Sequence, residues 1–451
     1  MKAFKAYDIR GIYGTELTDD IAYQVGRCLP KLLNAKRILI GRDARRSSPA
    51  LRAALVRGLN EAGAMVEDMG LATTPMVYFF TAEKGYDASI MITASHNPGE
   101  YNGLKVSKTG ALPVSYHLGL NQVEAMIEAN ALPPPAITPG TCQTVTYQDE
   151  YIQWMRQHLP TITGLRFAID CSDGSAGLIA REIFGDTAIY LNDSPNGDFP
   201  HHGPNPLEIE NCQQLIDVVK TQNLDLGLIF DGDADRVMCI DNNGEFVQPD
   251  TLIPLFAQLL RSKSDPQDIA VVHDIRTSRG VIETIQAYGF TPVMVKVGAA
   301  FAKTELRQRQ GLCGGEVAGH YYYRDFHWCD SGIFAAVHAL TLAVQAKSAG
   351  STFAERITPI ATRYHRSGEV NVHNIDNRQA AIERVETALV KLLGQPETRV
   401  DFDGVRLDWR DAWFGVRASN TEPILRLAAE AKALPQLQTM LAIAQAAAQP
   451  S

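Results

Sequence analysis

Two short apolar runs, Ala88–Ile92 and Leu226–Phe230, each break off abruptly into a polar loop. A dense apolar run bounded by turn residues is predicted to be a buried strand, and buried strands of this kind belong to α/β domains with helix-covered sheets. The first run ends in Thr93-Ala94-Ser95-His96-Asn97-Pro98, the second in Asp231-Gly232-Asp233-Ala234-Asp235-Arg236. In α/β proteins the carboxyl end of a strand is where a nucleophile or ligand contact is expected. Pro98 restricts Asn97 to extended or turn geometry and fixes the loop's exit. Alone, the Ser95 loop is also compatible with a polar turn that only closes a strand.

The second loop narrows the choice. Asp231, Asp233 and Asp235 repel one another at the end of a buried strand unless a cation sits among them. All-oxygen ligation suits a hard ion such as Mg²⁺ rather than zinc. An EF-hand also opens with Asp-x-Asp-x-Asp, but it needs Gly at the sixth position and Glu at the twelfth. This chain has Arg236 and Asn242 there, which excludes it. An acidic surface loop without an ion is the remaining alternative.

Elsewhere, strand-like runs alternate with helical patterns. Arg37–Gly41 precedes a helix carrying Leu51, Leu55 and Leu59 on one face, and further strands are predicted at 165–169, 269–273 and 292–295. The chain has 451 residues, too many for one core, so two to four domains are expected. The Pro-rich stretch from Ala131 to Gly140 marks one boundary and the Asp241-Asn242-Asn243-Gly244 turn lies near another. After about Tyr364 the pattern changes to alternating polar and apolar positions, followed by a helix rich in Ala and Leu. No internal sequence repeat is evident.

With 45% apolar and 21% charged residues the composition is that of a soluble globular protein. A net charge of −9 argues against a generic nucleic-acid or acidic-membrane partner. Cys28, Cys142, Cys171, Cys212, Cys239, Cys313 and Cys329 lack metal-ligand spacing and read as reduced thiols. Asp8 and Arg10 precede any apolar stretch, so no signal peptide is expected, and no run approaches a membrane span. A cytoplasmic protein is expected.

The Ser95 loop and the Asp231 loop together resemble the α-D-phosphohexomutase superfamily, and more closely its bacterial phosphomannomutases and dual phosphomannomutase/phosphoglucomutases. The resemblance runs nearly end to end. It starts at Phe4–Gly11, continues through Tyr101-Asn102-Gly103-Leu104-Lys105 and Gly315-Glu316-Val317-Ala318-Gly319-His320, and closes at Arg417–Pro423. It implies four domains around a central cleft, three similar α/β domains with mixed sheets and a smaller C-terminal α+β domain. The expected divisions are 1–140 with the phosphoserine loop, 141–245 with the metal loop, 246–362 with the sugar loop and 363–451 with a phosphate loop.

The implied activity is interconversion of hexose 6-phosphate and hexose 1-phosphate, with mannose phosphate foremost. It proceeds through a phosphoserine and a hexose 1,6-bisphosphate intermediate, and supplies nucleotide-sugar biosynthesis. The resemblance makes Ser95 the phosphoryl carrier and has Asp231, Asp233 and Asp235 hold Mg²⁺ against a phosphoryl oxygen on Ser95, with Arg236 beside the transferring group. Lys105 and His320 are the candidates for proton transfer, and His96 orients the phosphate. Tyr7 and Arg10 belong to the phosphoserine and ligand region, though Tyr7 is equally compatible with packing on the first domain. Glu316 would accept hydrogen bonds from sugar hydroxyls. Arg417, Ser419, Asn420 and Thr421 offer donors for the far phosphate, with Lys296 as a further contact. The partners are hexose phosphates, bound by a monomer or homodimer.

The chain departs from the phosphomannomutase pattern at Ala318, where Ser is usual, and at Val297-Gly298-Ala299, where Thr-Gly-His is common. Mannose-over-glucose preference is therefore open, and phosphoglucomutase is the nearest alternative. Asn420 and Val317 disfavour a phosphoglucosamine mutase, which carries Gly and Gln there. An aspartyl-phosphate phosphatase acting through Asp231 and a catalytically weakened sugar-phosphate-binding protein are the alternatives outside the mutases.

Overall fold

The computed structural model describes residues 1–373, 375, 377–418 and 424–449. They form four sheets, each in its own stretch of chain. In the first, Arg37–Arg42 lies between the parallel strands Met65–Leu71 and Ala88–Ile92, and Tyr101–Lys108 returns antiparallel to Ala88–Ile92. Ile9–Ile12 adds antiparallel to Tyr101–Lys108. The second sheet repeats this order: Phe167–Asp170 lies between the parallel Ile189–Leu191 and Leu226–Phe230, with Val237–Asp241 returning antiparallel. The third repeats it again, with Ala270–Asp274 between Thr291–Val295 and Cys313–Gly315, and Tyr321–Tyr323 as the return. The fourth sheet is wholly antiparallel and is packed by helices Arg378–Leu393 and Leu434–Ala448.

Ile9–Ile12 aside, three units therefore share one four-strand order, with the first strand between the second and third and an antiparallel fourth, although no repeat is evident in the sequence. The connection from the third parallel strand to its antiparallel return is in each case a loop already singled out. It carries Ser95 in the first unit, Asp231–Arg236 in the second and Glu316–Gly319 in the third.

The strands expected at Ala88–Ile92 and Leu226–Phe230 are found with those limits and are buried at every position. Leu51, Leu55 and Leu59 line the buried face of the helix Ser48–Glu61. The first unit extends beyond the Pro-rich stretch at 131–140, because Cys142–Thr144 pairs in parallel with Met65–Leu71. A three-residue strand with two exposed positions carries too little apolar pattern to be read from sequence.

One apolar cluster runs from Phe79 and Phe80 of the first unit through Tyr151 and Phe184 of the second to Phe326 and Phe334 of the third. Packing at interior density holds such a cluster in one arrangement, and so fixes the three loops relative to one another. The fourth unit has a separate core around Val385, Phe414 and Leu427. All seven cysteines are free. Among the described residues no single helix is long and apolar enough to cross a membrane.

Within the first unit, helix Asp19–Leu33 meets helix Ser48–Glu61 through glycines. A Cβ on Gly58 would collide with the Tyr23 carbonyl oxygen, and one on Gly26 would stand 2.5 Å from that of Leu55. Gly58→Ala should therefore cost about 1–3 kcal/mol of stability by overpacking, measured by urea denaturation. A change within about 0.5 kcal/mol, as at a neutral surface position, would contradict so close a helix contact.

Candidate functional site

Ser95 sits where the backbone leaves the strand Ala88–Ile92, in a left-handed conformation at φ 52°. A non-glycine residue there costs roughly 1–3 kcal/mol and persists only when its surroundings over-determine it. Here they do. Thr93 Oγ1 accepts from the Ser95 N–H at 2.9 Å. The buried guanidinium of Arg45 donates to the carbonyls of Ser95 (2.9 Å), Asn97 (2.6 Å), Tyr101 (3.1 Å) and Pro98, while its Nε is paired with Asp43 at 3.0 Å. Arg10 donates to Asn97 Oδ1 at 2.9 Å and pairs with Asp8. The loop is thus tied down from several sides, and the Ser95 hydroxyl donates to Asp231 Oδ2 at 2.9 Å.

Asp231, Asp233 and Asp235 are all buried, and an oxygen of each lies within 4.8 Å of the others. Gly232 makes this approach possible: a Cβ there would stand 2.5 Å from the Ser95 carbonyl oxygen. Ala234 takes a left-handed φ of 63° so that the acidic side chains converge. Burial, and then Asp235 and Asp233, push the Asp231 carboxyl well above its usual range. Asp233 Oδ1 and Asp235 Oδ1 are buried without a hydrogen-bond partner. Crowded hard oxygens with unmet acceptor capacity fit a divalent cation, and these three aspartates are the residues that would hold it.

Positive groups surround the carboxylates. The Lys105 ammonium bridges Asp233 and Asp235 at 2.6 Å each. Burial alone would lower its pKa, but Asp233 and Asp235 outweigh burial and hold it above the usual range. A candidate for proton transfer is therefore a charged ammonium here. Thr74, at the N-terminus of helix Thr74–Glu83, donates its hydroxyl to Asp233 Oδ2 and its N–H to the Asp233 carbonyl at 3.0 Å. That places the positive end of a helix dipole against the acidic loop.

Arg236 ties three loops together. Its Nη2 donates to His96 Nδ1 at 2.9 Å and its Nε to His320 Nε2 at 2.9 Å. His96 Nδ1 lies 3.2 Å from Ser95 Oγ. Burial first, then Arg236, Arg10 and Lys105, push the His96 imidazole well below its usual value, so it is a neutral ring among cations. His320 donates from Nδ1 to Asp330 Oδ2 at 2.8 Å, leaving Nε2 as the acceptor facing Arg236. Ser95, His96, Lys105, the three aspartates, Arg236 and His320 thus form one cluster, with Arg10 joined to it through Asn97.

A second cluster lies between the third and fourth units. Tyr7 reaches across from the first unit to donate to the Val297 carbonyl at 2.9 Å. Asp403 accepts from the Val297 N–H at 2.9 Å and from Arg417 at 3.3 Å. Glu316 accepts from the Gly298 N–H at 3.0 Å and from the Tyr322 hydroxyl, so each of its oxygens has a protein partner. Arg276, with Asp403, Arg417 and Arg426, lines a shallow pocket open to solvent. The exposed Lys296 places its ammonium 5.6 Å from the Phe301 ring centre. Ser419, Asn420 and Thr421 lie outside the described residues.

Sequence reasoning did not single out Arg45, Thr74, Asp330, Asp403 or Tyr322. Arg45, Thr74 and Asp403 act through contacts distant in sequence, Asp330 and Tyr322 meet His320 and Glu316 ten and six residues away, and none sits in a local pattern that names its partner.

Removing the Arg45 side chain strands the buried Ser95 carbonyl and Asp43 Oδ2, and frees the partly buried carbonyls of Asn97, Pro98 and Tyr101. Arg45→Met should cost about 3–5 kcal/mol, as for a broken buried ion pair, measured by chemical denaturation; near-wild-type stability would contradict the clamp. A cation held among the aspartates would compete with Lys105 for Asp233 and Asp235. Lys105→Met should therefore tighten divalent-cation binding about fivefold or more, measured by calorimetry. Weaker binding in the variant would contradict the competition.

Four family models match the chain in order. They are the phosphoglucomutase/phosphomannomutase alpha/beta/alpha domains I, II and III at residues 1–133, 147–244 and 248–360, and the C-terminal domain at 369–444. A phosphomannomutase of Escherichia coli K12 is 35% identical over 445 residues, covering 96% of this chain and 95% of the relative. Phosphohexose mutases of Xanthomonas campestris pv. campestris are 33% identical over 439 residues, covering 96% and 95%. The fold superposes on a crystal structure of a phosphoglucomutase/phosphomannomutase family protein from Burkholderia thailandensis with a TM-score of 0.88 and 26% identity, over 100% of this chain and 98% of that one. With all four domains in order and full-length relatives of this similarity, the chain belongs to the phosphoglucomutase/phosphomannomutase family.

Proposed function

We propose that this protein is a phosphohexomutase, an isomerase that interconverts hexose 6-phosphates and hexose 1-phosphates, with mannose phosphate as its main substrate. The observation that carries the reading is the Ser95 hydroxyl, 2.9 Å from Asp231 within a buried triad of carboxylates and backed by Arg236 and His96. A phosphate ester on Ser95 gives its phosphoryl group to the free hydroxyl of a bound hexose phosphate: the Ser95 Oγ–P bond breaks and a sugar O–P bond forms. The resulting hexose 1,6-bisphosphate reorients and returns its other phosphoryl group to Ser95. When bound at Asp231, Asp233 and Asp235, Mg²⁺ supplies neutralisation of the charge that develops on the serine oxygen.

Arg236 donates toward the same region, and the neutral His96 accepts from Arg236 while lying next to the serine oxygen. The proton of the attacking hydroxyl needs an acceptor. Of the two candidates, His320 has an unprotonated Nε2 that accepts from Arg236 and must leave it first, and Lys105 is an ammonium paired with Asp233 and Asp235 that must first lose a proton. Tyr7, Arg10, Lys296, Glu316 and Arg417, with Ser419, Asn420 and Thr421, bind the sugar and the non-reacting phosphate. Changing which phosphate faces Ser95 requires that the sugar ring be held by contacts that do not depend on its orientation, and the two-cluster layout suits that.

Substrate preference rests on fewer polar groups than the family pattern provides. Val297, Ala299 and Ala318 offer no side-chain hydrogen bond, and Glu316 already has a protein donor on each oxygen. A hydrogen bond to an uncharged hydroxyl is worth about 0.5–1.5 kcal/mol net, so each missing group changes kcat/KM by roughly two- to tenfold. Appreciable glucose-phosphate activity beside mannose-phosphate activity follows.

Mass spectrometry should find phosphate on Ser95, and Ser95→Ala should lose most mutase turnover in a coupled assay; a wild-type rate in that variant would sink the mechanism. Exhaustive chelation should abolish turnover and added Mg²⁺ restore it, and activity that survives chelation would remove the metal from the account. Ala318→Ser should change the ratio of mannose- to glucose-phosphate activity by about two- to tenfold. If the wild type already rejects glucose phosphate and Ala318→Ser is silent, specificity lies outside these loops.

A further inference from the structure

Behind His320 lies a buried ion pair that the phosphoryl-transfer chemistry does not use. Lys303, on helix Ala299–Gln308, is 1% exposed, and its Nζ is 2.6 Å from Asp330 Oδ1. The ammonium also sits 3.6 Å from the ring centre of Tyr78. Tyr78 belongs to helix Thr74–Glu83, whose N-terminus touches Asp233. The other oxygen of Asp330 accepts from His320 Nδ1 at 2.8 Å. From there the contacts run through His320 Nε2 and Arg236 (2.9 Å), then His96 (2.9 Å), to Ser95 Oγ (3.2 Å).

We propose that Lys303 is a positioning residue: by occupying Asp330 Oδ1 it fixes the carboxylate so that Oδ2 faces His320, keeping the imidazole proton on Nδ1 and the Nε2 lone pair toward Arg236. Stability does not account for the pair, because well-packed apolar residues usually serve at least as well as a buried ion pair. The reversed tautomer is incompatible with the contacts seen. A proton on Nε2 would meet the Arg236 Nε–H donor to donor at 2.9 Å, and Asp330 Oδ2 would face a bare nitrogen. Left without its ammonium, Asp330 is a buried carboxylate with one free oxygen and can rotate away from the ring. Tyr322 confines the imidazole further, stacking on it at a centroid distance of 6.2 Å and 16° between planes. Lys303 thereby links the helix that follows the Val297–Gly298 loop to the group facing the phosphoryl-transfer site.

The proposal rests on the reading of the site as a mutase centre, and its test separates the two. Turnover and histidine ¹⁵N NMR are measured for the wild type, Lys303→Met, His320→Asn and the double variant, with His320→Asn also assigning the His320 resonances. Lys303→Met should lower kcat about tenfold or more, the usual scale for an outer contact of a functional histidine, with KM changed less than about threefold. It should cost nothing further in the His320→Asn background, and the Nδ1–H pattern of His320 should be lost. An equal fall in rate with and without His320, or an unchanged imidazole spectrum, would overturn the proposal. Lys303→Gln carries the same comparison should Lys303→Met not fold. A wild type without mutase turnover counts against the proposed function alone, since the spectrum still decides the role of Lys303.

Discussion

Buried carboxylates packed against a serine hydroxyl are the constraint on which the rest of this structure depends. Asp231, Asp233 and Asp235 cannot share a dry site unless positive charge surrounds them. The chain supplies it from several directions: Lys105 from a strand of the first unit, Arg236 from the acidic loop itself and the N-terminus of helix Thr74–Glu83. The same charge balance prepares the site for a dianionic phosphoryl group. The cations and helix dipole that offset the aspartates can also stabilise negative charge moving between the serine and a sugar, in surroundings where electrostatic interactions are little screened.

Topology explains why the charges meet. In three units of like construction the loop after the third parallel strand carries the distinctive residues, and the shared apolar cluster packs those units into one arrangement. The Ser95 loop, the acidic loop and His320 therefore come from three units but meet through hydrogen bonds of 2.9 Å. The fourth unit, with its own core, brings Asp403, paired with Arg417, to the Val297 loop. The Ser95 cluster and the Arg417 cluster thus lie in different parts of the molecule.

Much of the centre was legible in the sequence because its key residues are contiguous. Ser95 and Asp231–Arg236 each follow an apolar strand, and the motif order gave the family. What escaped was whatever depends on contacts across the fold. Arg45 is a lone arginine until the loop it clamps wraps around it, and Lys303 and Asp330 have no shared local pattern. The common topology of the three units was hidden because strand order is set by packing rather than by repeated residues. Lys105 is one of two candidates for proton transfer in the sequence, beside His320, and its pairing with Asp233 and Asp235 appears only in the fold.

The central claim is that the Ser95 oxygen and the three aspartates form one phosphoryl-transfer centre, and ³¹P NMR of the phosphorylated protein titrated with Mn²⁺ tests it most directly. The account predicts that the phosphoserine resonance broadens sharply at stoichiometric Mn²⁺ and that Asp233→Asn abolishes the broadening. A phosphoserine signal that stays narrow in the wild type with Mn²⁺ bound would place the metal away from Ser95 and contradict the account.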